Sequence, residues 1–141
     1  MTFRWPADLP PGLLPYERTL GATLGIELGE VGPDRAVARL PVTDAVRQAY
    51  GALHGGAIAS LAESITSMGT CTALDMSREV AFGQEISYSL LRTVWEGHVE
   101  AVATPLHKGR TVWVWDVRVA DAGGRLVAVA RCSIAVRPRR D

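Results

Sequence analysis

The residues that could do chemistry are concentrated in one stretch, from Leu53 to Ser67, which we predict to be part of a long helix. Gly55 and Gly56 stand at its start, and because glycine has no Cβ the backbone there can approach a ligand closely. Glu63 follows two turns later, and Ser67 lies one turn further along the same helix face. A carboxylate at the edge of a buried helix can act as a general base or as a nucleophile.

The helix that positions these groups is predicted to end near Gly69 or to run on to Leu74. Apolar residues recur along it at helical spacing, which predicts one face buried against a sheet. The predicted buried face comprises Ala57, Ile58, Leu61, Ala62, Ile65 and Met68. The predicted polar side comprises Ser60, Glu63, Ser64, Ser67 and Thr70, and Thr66 is also expected to be a surface hydroxyl.

The remaining chain is predicted to be mostly strand. Residues 1–12 are rich in proline and are expected to form an arm over the surface. A short helix is predicted from Leu13 to Leu24, with Leu14, Leu20 and Leu24 on its inner face. Strands are predicted at 26–31 and 35–42, which form a hairpin, and at 80–91, 98–106, 111–119 and 126–136, followed by a basic, frayed tail at 137–141.

This order of elements predicts a single α+β domain over residues 1–141, in which a curved antiparallel sheet wraps around one long central helix. One helix cannot cover both faces of such a sheet, and long alternating strands at an open edge would pair with other chains. We therefore expect another subunit to cover the remaining face or edge, which predicts an obligate homo-oligomer.

Composition limits the possible functions. Fifteen basic residues balance fifteen acidic ones, so no overall field favours nucleic acid or a membrane surface as a partner. Cys71 and Cys132 are too few for a disulfide framework and are expected to be small buried hydrophobes. His54, His98 and His107 lack the spacing of zinc ligands, so no metal is expected. No secretory signal or membrane span is visible, which predicts a cytoplasmic protein.

Five short motifs in the sequence carry a resemblance to a known protein family. They are Gln48-x5-His54-Gly55-Gly56, Leu61-Ala62-Glu63 with Ser67, Arg92-Thr93-Val94-x2-Gly97, Gly109-Arg110-Thr111, and the final stretch from Ile134 to Asp141. With these motifs the chain resembles the hotdog-fold acyl-CoA thioesterases over residues 16–141. The resemblance is close to the 4-hydroxybenzoyl-CoA thioesterases that use a glutamate on the central helix.

The resemblance implies a role for each residue of the helix motif. The N–H of Gly55 would face the thioester oxygen, as suits the positive end of a helix near a developing oxyanion. Glu63 would attack the thioester carbon or activate a water, Gln48 would orient either reactant, and Ser67, where relatives carry threonine, would hold the water. In that family the carboxylate of one subunit meets the glycine N–H of the other, and we expect dimers to pair into a tetramer.

The resemblance also implies cations for the phosphates of coenzyme A, which is part of the substrate, so that no separate cofactor is expected. Arg92, Arg110 and Thr111 match stretches that contact the nucleotide, although relatives carry serine at the position of Arg110. Arg140 of the basic tail would add to this site. His54 is assigned to shaping the turn at the substrate-binding end of the helix.

These observations favour hydrolysis of an aromatic acyl-CoA, first of all 4-hydroxybenzoyl-CoA, to the free acid and coenzyme A. Two alternatives are a thioesterase with a broad range of medium-chain and aryl substrates, and a non-catalytic module that binds acyl-CoA. No base is visibly paired with a serine, which argues against a serine hydrolase. The sequence also lacks an Asp-x4-His pattern expected of a hotdog dehydratase.

Overall fold

The computed structural model describes residues 13–140, and the predicted arm at 1–12 lies outside them. The described residues form two α-helices and six strands, in an order that confirms the predicted α+β architecture. Helix α1 spans Leu20–Leu24, and α2 spans Gly55–Cys71. The strands are β1 Glu27–Val31, β2 Ala36–Pro41, β3 Glu79–Leu90, β4 His98–Lys108, β5 Val112–Asp121 and β6 Leu126–Pro138.

The six strands form one antiparallel sheet in the order β1-β2-β4-β5-β6-β3. Helix α2 contacts strands from one edge of this sheet to the other, so the sheet wraps around it as predicted. Alternate residues of a strand point to the same face, and most of those that face α2 from the central strands are buried. Trp115 is the largest of these buried side chains.

The buried face of α2 differs in part from the predicted one. Ala57, Ile58, Leu61, Ala62 and Ile65 are buried as predicted, whereas Met68 is only partly buried. Thr66 and Thr70 are completely buried, so their prediction as surface hydroxyls is wrong. Each hydroxyl donates 2.9 Å to a helix carbonyl one turn back, Thr66 to Ala62 and Thr70 to Thr66, which allows a polar side chain to enter the core.

The N-terminal segment is not one continuous helix. A 3-10 turn at Tyr16–Arg18 precedes α1, and Thr19 between them caps α1 by accepting from the N–H of Ala22. Leu14 and Leu20 are 45% and 62% exposed, so their predicted place on an inner face is wrong. Leu24 does pack against the core, and α1 ends at Leu24 as predicted, with Gly25 as its C-cap.

The basic tail is more ordered than predicted. Strand β6 continues to Pro138, and the N–H of Arg139 donates to the carbonyl of Arg78 at 2.8 Å. The Arg139 guanidinium also donates to the carbonyl of Met76. The described part of the tail is therefore attached to the loop that precedes β3, not frayed.

Strand β3 has twelve residues and is an edge strand of the described sheet, where its one neighbour is β6. Most of its residues are exposed, including the apolar side chains of Phe82, Tyr88 and Leu90. Its ladder contains a bulge, because Gly83 pairs with Ile134 and Glu85 with the next residue, leaving Gln84 without a partner in the register. The described residues form no helix long and apolar enough to cross a membrane.

Candidate active site

The start of α2 leaves one backbone donor available. His54 is the N-cap, and its Nδ1 accepts a 2.8 Å hydrogen bond from the N–H of Gly56. The N–H groups of Ala57 and Ile58 donate to the carbonyl of His54. No described residue accepts from the N–H of Gly55, which therefore remains free at the positive end of the helix. His54 shapes this turn, as the sequence predicts.

Gln48 lies in a tight turn beside the helix start. Its N–H donates to the carbonyl of Ala52, and its carbonyl accepts from Gly51, which has a φ of 94°. The side-chain oxygen of Gln48 accepts from the N–H of Tyr50. Because that oxygen has a partner, the amide group is fixed with its NH₂ available as a donor.

These groups line one cleft of about 810 Å³, which we call the helix-start cleft. Gln48, His54, Gly55 and Arg92 all border it, so the structure brings four of the predicted site residues together. Its other walls are largely apolar and include Ile58, Leu53, Leu90, Leu91 and Val94. A cleft of this kind suits an apolar acyl group with a carbonyl directed at the helix start.

Glu63 and Ser67 form a second part of the predicted site. The Ser67 hydroxyl donates a 2.7 Å hydrogen bond to Oε1 of Glu63, and both side chains are partly buried. The sequence predicts the shared helix face, and the structure shows that the two groups also contact each other. The hydroxyl thus holds the carboxylate in one orientation.

The two parts of the site are separated within one chain. Glu63 lies eight residues after Gly55, which corresponds to about 12 Å along the helix axis. A carboxylate at that distance cannot reach a thioester whose oxygen accepts from the Gly55 N–H, because reacting atoms must come within about 3–3.5 Å. One subunit therefore does not bring Glu63 to the helix-start cleft of its own chain.

The remaining predicted cations lie at the other end of the sheet. A second cleft of about 890 Å³, the tail cleft, is bordered by Arg137, Arg139, Arg140, Cys71 and Phe82 among other residues. Near it, the Arg137 guanidinium donates to the carbonyl of Thr111 at 2.9 Å. Arg110 and Thr111 belong to the turn between β4 and β5 and do not line the helix-start cleft. Arg140 and Arg92 are likewise in separate clefts of the single chain.

The cysteines are poorly suited to act as nucleophiles. Burial raises the pKa of the Cys132 thiol to about 11, and the thiol is completely buried. Burial also raises the pKa of the partly exposed Cys71, with a smaller contribution in the same direction from the Glu63 carboxylate. A thiol kept protonated is a weak nucleophile. Among residues 13–140, no cluster of three or more His, Cys, Asp or Glu could hold a metal ion.

The sequence prediction missed three residues that surround the site. Tyr88 and Leu90 of β3 contact the helix start, where a Cβ added to Gly55 would lie 2.8 Å from Leu90 Cδ1. Gly83 of the same strand lies directly against the Glu63 side chain. A glycine inside a strand pattern can signal close approach of another group, so Gly83 did carry a usable signal.

Comparisons with known proteins identify the family of this chain. The model of a family described as the thioesterase superfamily matches residues 50–128. A 1,4-dihydroxy-2-naphthoyl-CoA hydrolase of Listeria monocytogenes is 37% identical, over 86% of this chain and 98% of its own length. The proofreading thioesterase EntH of Cronobacter turicensis is 42% identical, over 84% and 85%. The crystal structure of a glutamine-to-alanine variant of thioesterase PA1618 from Pseudomonas aeruginosa superposes with a TM-score of 0.84 at 36% identity, over 87% and 88%.

The chain therefore belongs to the thioesterase superfamily and has the hotdog fold predicted from its sequence. Within that class it is a thioester hydrolase. The family match includes Gly55, Glu63 and Ser67 but begins after Gln48.

Proposed function

We propose that the protein hydrolyses an aromatic acyl-CoA, with 4-hydroxybenzoyl-CoA as the first candidate, and that Glu63 is the catalytic carboxylate. The observation that carries this proposal is the N–H of Gly55, which has no acceptor among the described residues and borders the same cleft as the Gln48 amide. These donors suit the oxygen of a thioester, which gains negative charge when the carbonyl carbon is attacked.

The reaction then has two possible routes from the same geometry. In one, a Glu63 oxygen attacks the thioester carbon, the C–S bond breaks with release of the coenzyme A thiolate, and water hydrolyses the resulting anhydride. In the other, Glu63 removes a proton from the water that attacks the carbon, and the same C–S bond breaks. Ser67 supports either route because it orients the carboxylate through its 2.7 Å hydrogen bond.

The separation within one chain leads us to place the active site between two subunits. Gly55 lies against Tyr88 and Leu90, and Glu63 lies against Gly83, so both halves of the site adjoin β3. Antiparallel pairing of two β3 edges around a two-fold axis near Glu85 and Ile86 would set Tyr88 opposite the partner's Gly83. The Gly55 N–H of one subunit would then face the Glu63 carboxylate of the other.

The same pairing would join the two clefts. The end of β3 near Leu90, which borders the helix-start cleft, would meet the partner's strand near Ala81, which borders the tail cleft. Arg92 of one subunit and Arg140 of the other would then lie along one continuous cleft. That arrangement suits coenzyme A, a long molecule with phosphates far from the thioester. We further propose that Arg110 and Thr111 contact the nucleotide of coenzyme A, since the Thr111 carbonyl accepts a hydrogen bond from Arg137 of the tail cleft.

The comparisons support an aryl substrate and add a candidate. The Listeria relative is named for 1,4-dihydroxy-2-naphthoyl-CoA, whose acyl group is a larger fused aromatic acid. The broad-range alternative is kept because EntH is named as a proofreading thioesterase. Substrate range is therefore part of the test.

The experiment measures the release of free coenzyme A thiol from a panel of acyl-CoA substrates. It compares 4-hydroxybenzoyl-, 1,4-dihydroxy-2-naphthoyl-, benzoyl-, phenylacetyl- and hexanoyl-CoA, using wild type and Glu63→Gln. We expect the highest kcat/KM with an aryl substrate and a loss of at least about 10³-fold in kcat with the variant. Equal rates on hexanoyl-CoA would favour the broad-range alternative, and binding without thiol release would favour the non-catalytic module. Wild-type turnover in Glu63→Gln would refute the assignment of Glu63.

A further inference from the structure

The backbone of β3 at Gly83 lies unusually close to the Glu63 side chain. A Cβ built on Gly83 would be 2.5 Å from Glu63 Oε1, 2.9 Å from its Cγ and 3.0 Å from its Cδ. Any residue other than glycine would therefore occupy the space that the carboxylate now fills. The same Oε1 also accepts a 2.7 Å hydrogen bond from the Ser67 hydroxyl. The carboxylate thus contacts both the Ser67 hydroxyl and the backbone of β3 at the position that has no Cβ.

The bulge in β3 lies at this contact. Ala81 packs towards the core before the bulge, and Ile86 packs towards it afterwards, although regular alternation from 81 would turn residue 86 outwards. The extra residue, Gln84, makes both halves of the strand compatible with the helix. Gly83 is the residue that immediately precedes this irregularity, where the strand passes Glu63.

We propose that Gly83 is a positioning residue for the thioesterase reaction, because its missing Cβ allows the Glu63 carboxylate to lie against β3 in the orientation that Ser67 holds. This inference rests on the proposed role of Glu63. Gly83 itself contacts the carboxylate, not the reacting atoms of the substrate.

The physical argument concerns which group gives way when a Cβ is added. Gly83 does not have a positive φ, so alanine can adopt its backbone conformation without strain. The nearest atoms are the end of the flexible Glu63 side chain, which can rotate away at little cost to the fold. Gly83→Ala should therefore leave the protein stable and displace the Glu63 carboxylate, which the proposed reaction requires.

The test compares Gly83→Ala with a matched glycine variant, Gly32→Ala. At Gly32 the φ is also not positive, and the nearest atom to an added Cβ is the carbonyl oxygen of Arg35 at an ordinary 3.6 Å. We expect Gly83→Ala to lower kcat by about 10²-fold, as a misplacement of about 1 Å can do, with KM, oligomeric state and Tm unchanged. Gly32→Ala should have wild-type kcat.

A double-mutant cycle with Glu63→Asp separates positioning from a general effect on the strand. Aspartate is one methylene shorter, so its carboxylate has already left the position that Ser67 and Gly83 define, and an added Cβ has less left to displace. The loss in Gly83→Ala/Glu63→Asp should therefore be smaller than the product of the two single losses. Multiplicative losses would overturn the proposal, as would a wild-type kcat, a lowered Tm or a changed oligomeric state in Gly83→Ala. The Glu63→Gln control distinguishes failure of the proposed function from failure of the positioning role. If Glu63→Gln is active, the catalytic role of Glu63 is refuted. If Glu63→Gln is inactive while Gly83→Ala is fully active, only the positioning role of Gly83 is refuted.

Discussion

The Ser67 hydroxyl donates a hydrogen bond of 2.7 Å to Oε1 of Glu63, one turn earlier in the same helix. An i,i+4 pair on a rigid helix fixes the carboxylate more firmly than a contact from a loop would. The bond also leaves Oε2 without the hydroxyl and available for a partner of its own.

Removal of the Ser67 hydroxyl should reduce turnover without unfolding the protein. In Ser67→Ala the carboxylate loses the donor that orients it, and we expect kcat to fall by about 10- to 10²-fold with little change in KM. Ser67→Thr keeps the hydroxyl and should retain most of the activity. Steady-state kinetics on the best aryl-CoA checks this, and equal kcat for the alanine and threonine variants would contradict it.

Mixed dimers should recover activity if each active site uses both subunits. Glu63→Gln keeps an intact Gln48, and Gln48→Ala keeps an intact Glu63, so a mixed dimer contains one complete site. Random mixing of the two inactive variants should therefore restore about a quarter of wild-type activity. The measurement is thiol release after co-refolding, with each variant refolded alone as the control. Absence of recovery, with mixed dimers demonstrated by mass, would show that the two residues act within one chain.

The buried Thr70 should contribute to stability through Trp115. The indole N–H of Trp115 donates a 3.0 Å hydrogen bond to the Thr70 hydroxyl, and both side chains are fully buried. Thr70→Val keeps the shape but leaves the indole donor unpaired, so the free energy of unfolding should fall by about 1–3 kcal/mol. Thr70→Ser keeps the hydroxyl and should cost only about 0.8 kcal/mol for the lost methyl group. Urea denaturation compares the two, and a smaller loss for valine would contradict the assigned bond.

The buried Cys132 should make the protein less stable at alkaline pH. Its pKa is raised to about 11 in the folded protein, whereas an unfolded thiol titrates near about 8.5. Between these pH values the unfolded chain releases a proton that the folded chain retains, so the free energy of unfolding falls as pH rises, by up to about 1.4 kcal/mol per pH unit. Cys132→Ala should show a shallower decline between pH 9 and 11 in urea denaturation. An identical slope for the variant and wild type would refute this.

The elements that carry strong periodic patterns could be predicted from the sequence. The apolar spacing from Ala57 to Ile65 predicts α2, and the alternation over 111–119 predicts the strand that the structure shows as β5. Leu14 and Leu20 mislead because apolar residues do occur on surfaces. Thr66 and Thr70 are wrongly predicted to lie on the surface, because each hydroxyl can donate to a carbonyl of its own helix and so be buried. The sequence pattern does not show such a bond.

The site was predictable only as a set of residue types. The motif around Gly55 and Glu63 identifies the groups, and the predicted long helix already places them two turns apart, as α2 confirms. The contact between Gly83 and Glu63 depends on the register of β3 against β6 and on a bulge, which are properties of two distant segments. Tertiary register of this kind is not encoded in a local pattern.

The bulge at Gln84 has a further consequence for the length of β3. Gly83 and Glu85 pair with consecutive residues of β6, so a chain without Gln84 could form a regular ladder with the same side chains facing the helix. The set of β3 side chains that face the helix therefore does not depend on Gln84. Gln84 instead alters the path of the backbone as it passes Glu63. Deletion of Gln84 alone would therefore change the local curvature of the sheet while leaving the residues of its core the same.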